Sequence, residues 1–186
     1  LEDHAILTFR VDALWAKEDF EGMRDFAGRL GDPDEATIVG VFQALAQNKL
    51  DAAMDALARV DDVSTWILGA LAVAMCFERE GRPEAASALY DTIAGHRDGG
   101  ARPAPHMAAL VAALRGKASI EDALQETLRS SLEDVPLALA LLGLHLHAAG
   151  EKESARDFLQ EAILANHFPG AFRSLINRLC LPLLAE

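Results

Sequence analysis

Along most of the chain apolar residues recur at intervals of three and four, the period of a helix that buries one face. In the stretch from Glu84 to Ile93, for instance, Ala85, Ala86, Leu89, Tyr90 and Ile93 fall on one side. Glycine, proline and acidic clusters interrupt the pattern near Leu30-Gly31-Asp32-Pro33, Asp61-Asp62, Gly81-Arg82-Pro83, Gly95 to Pro105, Gly116-Lys117, Glu133 to Pro136, Gly150 and Pro169-Gly170. No segment sustains the alternation of a half-buried strand. The spacing predicts ten main helices and a terminal one. Ser64, Ser119 and Asp134 are the expected N-caps, and Pro83 and Pro136 fall where a first helical turn tolerates proline.

The helices come in pairs that follow one schedule. A small residue on the first helix is followed by a large one three later and a turn glycine four later. A small residue five later, a large one four later and an apolar one three later complete the second helix. Leu142-Gly143, Leu146, Gly150, Ala155, Leu159 and Ala162 follow it, as do Val73-Ala74, Phe77, Gly81, Ala86, Tyr90 and Ile93. Small residues on both helices let the backbones approach, the large ones fill the flanks, and the glycine makes the turn.

Looser copies run Val41, Ala44, Asn48, Ala53, Leu57, Val60 and Val11, Leu14, Glu18, Met23, Ala27, Leu30. In the first, Asn48 replaces the turn glycine because asparagine tolerates left-handed geometry. A further copy, Val111, Leu114, Ala118, Ala123, Thr127, Ser130, has polar residues at its last two positions. The second-helix positions 23, 53, 86, 123 and 155 are spaced by 30, 33, 37 and 32 residues.

This schedule resembles the tetratricopeptide (TPR) repeat, whose length is about 34 residues. The resemblance implies an all-α, right-handed solenoid of five helix pairs, roughly residues 4–31, 33–62, 64–97, 103–132 and 134–168, closed by a capping helix over 170–186. Sel1-like repeats stay open as a cousin, while HEAT and armadillo repeats fit less well. In the closing segment Phe172, Leu175, Ile176 and Leu179 form a face suited to covering the end of the array. Its Leu-Cys-Leu-Pro-Leu-Leu ending serves either as a cap or as a homo-oligomer contact.

Composition narrows the function classes. Hydrophobic residues make up 51% and aromatics 6% of the 186 residues, a balance that suits close-packed helices. A formal net charge of −12 argues against sequence-independent binding of nucleic acid and against adsorption to anionic membranes. It favours encounter with a basic segment, or simply keeps an apolar repeat in solution. The longest uncharged stretches fall short of the ~20 apolar residues that a membrane span needs. A cytoplasmic setting is expected, with the reservation that Leu1 rather than Met begins the sequence. Cys76 and Cys180 lie among apolar residues without CxxC spacing and read as packed, reduced thiols.

No constellation points to catalysis, a metal or a cofactor. His145 and His147 are two apart on a helix and diverge by about 200°. His4, His96, His106 and His167 are scattered. The carboxylates gather at helix starts, where they complement the helix dipole. Phosphate-binding and nucleophile motifs are absent from the sequence.

The expected role is a non-enzymatic scaffold, adaptor or chaperone that binds another protein. By resemblance to TPR domains the first helices line a concave groove, which here would include Asp12, Trp15, Ile38, Phe42, Leu45, Leu68, Leu71, Met75, Glu78, Arg79, Ala108, Ala112, Arg115, Leu137, Leu144 and His147. A groove of that composition is largely apolar and lacks most of the family's terminal-carboxylate clamp. It suits a hydrophobic or amphipathic-helical segment. Two alternatives stand beside this one: a structural subunit of a permanent homo- or hetero-oligomer, and the repeat domain of a larger enzyme or regulator.

Overall fold

The computed structural model of the chain describes residues 14, 17, 19–30, 33–95, 103–166 and 171–185. Among these residues there are ten α-helices and no strand, so the all-α expectation holds. In order they are α1 (Phe20–Leu30), α2 (Pro33–Ala46), α3 (Leu50–Leu57), α4 (Val63–Arg79), α5 (Pro83–Gly95) and α6 (Pro105–Leu114). There follow α7 (Ile120–Ser130), a 3-10 turn (Leu132–Asp134), α8 (Val135–Ala148), α9 (Lys152–Ala165) and α10 (Ala171–Leu184). The helix expected before Phe20 lies largely outside the described residues.

Helices α2–α3, α4–α5, α6–α7 and α8–α9 form packed hairpins, and α1 lies on α2. Each hairpin turns on a residue with left-handed backbone: Asn48 (φ 55°), Gly81 (φ 67°), Gly116 (φ 66°) and Gly150 (φ 86°). In each, that residue's N–H donates to the carbonyl three residues back and the next N–H to the carbonyl five back. The pairs are Asn48 to Leu45 with Lys49 to Ala44, and Gly81 to Glu78 with Arg82 to Phe77. Gly116 to Ala113 with Lys117 to Ala112, and Gly150 to His147 with Glu151 to Leu146, repeat the arrangement. This double bond satisfies carbonyls that a helix end otherwise leaves open, and it requires the left-handed residue. Asn48 takes the role expected of it.

The packing follows the schedule. Ala53, Ala86, Ala123 and Ala155 are wholly enclosed at the equivalent points of the second helices. Leu57, Tyr90 and Leu159 fill the interior one turn later, where the third hairpin has Thr127. Thr127 is equally buried and donates its hydroxyl to the Ala123 carbonyl at 2.9 Å, which satisfies the polar atom inside the helix. Close approach recurs at Gly143, where a Cβ would lie 2.9 Å from Leu159 Cγ and 3.1 Å from Phe158 Cβ.

Three details differ from the expected pattern. The cap of α4 is Asp62, which accepts from the Thr65 N–H at 2.7 Å, and Ser64 lies inside the first turn. That bond, the largest influence on it, holds the exposed Asp62 carboxyl below its ordinary value. Ser119 does cap α7, accepting from the Asp122 N–H at 3.0 Å. Asp134 occupies the cap position of α8 but makes no side-chain cap bond, because its carboxylate is engaged elsewhere. In the third hairpin, moreover, Gly116 rather than Ala118 is the turning residue. Seven positions separate it from Ala123, against five in the other three turns, so the α6–α7 connection is longer.

Helix α4 is the hub. It packs against α2, α3, α5, α8 and α10, and its segment from Gly69 to Glu78 is buried throughout. An evenly stepped array would seat α6 between α4 and α8. Instead α8 lies directly on α4, while α6 is held mainly by α5 and α7. Helix α10 covers α8, α9 and the flank of α4 with Leu175, Ile176, Leu179 and Cys180. Neither cysteine is bridged, and burial, the leading cause, pushes both thiols up to about 12.

Candidate functional site: apolar recesses beside α6

The sideways position of α6 leaves space around it. Its sequence, PHMAALVAAL, is rich in alanine, and a short side chain cannot fill the volume that a leucine would. One recess of about 510 Å³ lies between α6 and the end of α5, floored by Ile93, Ala108, Val111 and Ala112, with Arg115 and Lys117 at its margin. A second, of about 270 Å³, lies between the first turns of α4 and α6, walled by Val63, Ile67, Leu68 and Met107 with His106 and Asp134. Pro103 borders both. The larger volume is within the range of pockets that hold ligands or side-chain anchors.

Two polar contacts pin α6 in this position. His106, buried, donates from Nε2 to Asp134 Oδ2 at 2.9 Å, tying the start of α6 to the start of α8. Its Nδ1 is buried without a hydrogen-bond partner. At the other end Arg115 reaches the Asp91 carboxylate of α5 through Nε at 2.7 Å and a terminal nitrogen at 2.6 Å.

The groove expected from the sequence is divided by the structure. Trp15 and Asp12 lie outside the described residues. Ile38, Phe42, Leu45, Leu71, Met75, Glu78, Leu137 and Leu144 are buried in the interior, so their side chains are core and offer a partner no surface. The reason is the hub position of α4 and the direct seating of α8 upon it, which bury faces that an open groove would expose. The accessible remainder falls into separate places. Leu68, 36% exposed, borders the smaller recess. Ala108, Ala112 and Arg115 belong to the larger. Half-buried His147 lies in a third hollow of about 190 Å³ with Lys152 and Arg156, and Arg79 is half-buried on α4.

The sequence reading did not pair His106 with Asp134, nor Glu78 with His145. Glu78 Oε1 accepts from His145 Nδ1 at 2.8 Å and, more distantly, from the Tyr90 hydroxyl at 3.4 Å. A carboxylate in an otherwise apolar helix stretch, Ala-Met-Cys-Phe-Glu, was the available signal.

The described residues thus form an all-helical fold with apolar recesses on two sides of α6. No helix among the described residues is long and apolar enough to cross a membrane. Comparison with protein-family models, curated proteins and solved structures finds no match.

Proposed function

We propose that this chain is a non-catalytic, TPR-like helical-repeat scaffold that receives a hydrophobic or amphipathic-helical segment of a partner protein in the recesses beside α6. The observation that carries the reading is the alanine-floored space between α5 and α6, about 510 Å³ of largely apolar-walled volume. Regularly spaced apolar anchors on a partner helix seat in such spaces, and most of the binding energy then comes from a few of them. The repeated turn and the enclosed alanine at the same step of each hairpin support the kinship with TPR arrays.

A photo-crosslinking residue placed at Leu68 or Ala112 tests the proposal in cells, with exposed Asp157 on α9 as the control position. The expected result is a shared crosslinked segment of apolar or amphipathic character at the first two sites, lost when Ala108→Glu is introduced. Equal crosslinking from Asp157 would sink the recess as the binding site.

A second reading, a permanent oligomer, draws on Leu164 and Leu181, which are 63% and 50% exposed on α9 and α10. Molecular mass measured across a dilution series separates the two. A mass that stays at a multiple of the 20.0 kDa chain supports the oligomer.

A further inference from the structure

The seam between α4 and α8 is apolar along nearly its whole length, and helix α8 itself, VPLALALLGLHLHA, carries its only polar side chains near its end. At that end it meets the one carboxylate in the buried run of α4. Glu78 is 1% exposed, and its Oε1 accepts from His145 Nδ1 at 2.8 Å across 67 residues of sequence. Its other oxygen, Oε2, is buried with no hydrogen-bond partner. A carboxylate enclosed this way, with one oxygen unserved, depends heavily on the charge of what faces it. His145 differs from Glu78 in one respect that matters: its side chain is 33% exposed, so water can deliver or remove a proton there.

We propose that the Glu78–His145 contact is a proton-operated clasp that fastens α8, and with it α10, onto α4. With an imidazolium the seam carries a charge-assisted bond in a site of low polarity, shorter and stronger than its neutral counterpart. When the proton leaves, a neutral ring still donates from Nδ1, but the enclosed carboxylate faces no positive charge and the seam loosens.

The surroundings act in the required direction. The groups that act on His145 are Glu78 on α4, by hydrogen bond and by charge, and Glu151 at the turn into α9. The hydrogen bond to Glu78 is the largest influence and raises the imidazole above its ordinary 6.5, partial burial opposes it, and the charges of Glu78 and Glu151 add to the rise. On α5, the Tyr90 hydroxyl, pushed upward by burial and by Glu78, keeps its proton and does not compete. A histidine raised on folding contributes stability that is complete below 6.5 and is lost as pH climbs through the folded-state value. The clasp is therefore closed below 6.5 and opens as pH climbs through the folded-state value, which lies above 6.5.

Hydrogen exchange of the α8 amides at pH ~6 and ~9, corrected for intrinsic rates, reads the clasp directly. In the wild type, opening of α8 rises about tenfold between these conditions, the difference between a charge-assisted and a neutral bond, while α2–α3 changes little. His145→Gln, which keeps a donor but cannot titrate, removes that pH dependence. Proton-detected titration of the His145 ring gives an independent reading: its midpoint lies above 6.5 in the wild type and falls in Glu78→Gln. The proposal is overturned by equal pH dependence of α8 exchange in wild type and His145→Gln. A wild-type His145 midpoint at or below 6.5 overturns it as well, without recourse to any variant.

Discussion

Three helical glycines differ in what surrounds them, so replacing each with alanine should give three different outcomes. Alanine favours a helix over glycine by ~0.5–1 kcal/mol, and this gain applies equally at Gly40, Gly69 and Gly143. The opposing cost depends on the space. At Gly40 a Cβ meets nothing within 4 Å, so Gly40→Ala is expected to stabilise by most of that gain. At Gly69 the Cβ would sit 2.7 Å from the Cδ1 atoms of Ile38 and Leu57, which are side-chain ends that can swing aside at some cost in packing. Gain and cost are then comparable, and Gly69→Ala should fall within ~1 kcal/mol of wild type.

Gly143 is the severe case. Its Cβ would press on Leu159 Cγ and Cδ2 at 2.9 Å and on Phe158 Cβ at 3.1 Å, atoms close to the α9 backbone. Rotating a side chain does not move its Cβ, and small rotations hardly move a Cγ, so α8 and α9 must separate. Overpacking of this kind costs ~1–3 kcal/mol, which leaves Gly143→Ala destabilised by up to ~2 kcal/mol after the helix gain. Urea denaturation with a common m-value ranks the three by midpoint. Should Gly143→Ala match or exceed Gly40→Ala, the close approach of the last hairpin is not what its glycine serves.

Smaller perturbations probe the caps, turns and thiols. Ser119→Ala should cost ~0.5–2 kcal/mol through loss of the Asp122 cap bond, whereas Ser64→Ala, inside the first turn of α4, should be near neutral by the same denaturation assay. At Asn48, whose φ is 55°, Asn48→Gly should preserve or raise stability while Asn48→Ala costs ~1–2 kcal/mol. A thiol reagent at pH ~8 should label Cys76 and Cys180 only as fast as the protein unfolds, because burial keeps both protonated and shielded. Rapid labelling of either in the folded state would contradict the α4–α10 packing.

The local rules of this fold were legible from residue spacing. Positions 53, 86, 123 and 155 are enclosed as the schedule required, and Asn48 turns as glycine does elsewhere, because both depend on one or two residues and their immediate neighbours. Placement of the hairpins was less legible. Whether α8 follows α6 or lies directly on α4 is decided by the fit of whole faces and by the longer α6–α7 connection, and no short window contains that information. This is why Phe42, Leu71, Met75 and Leu144, read as groove residues, are core. Ala108 and Ala112 border open space for the complementary reason, since their helix α6 was moved aside, and Leu68 on α4 borders the space left between the two helices. Glu78 and His145 stand far apart in sequence and belong to different hairpins, so their meeting belongs to the same category.

The hub position of α4 changes how the chain must assemble and come apart. Arrays whose repeats touch only their neighbours fray from either end, one unit at a time. In this chain α4 also grips α8 and α10, so removing the last helices strips cover from the middle of the molecule rather than from its edge. A ribosome-bound intermediate ending before Val135 would present the apolar flank of α4 to solvent until α8 arrives. The early hairpins can form from local contacts, yet the structure closes late and as a unit, with long-range contacts setting the pace.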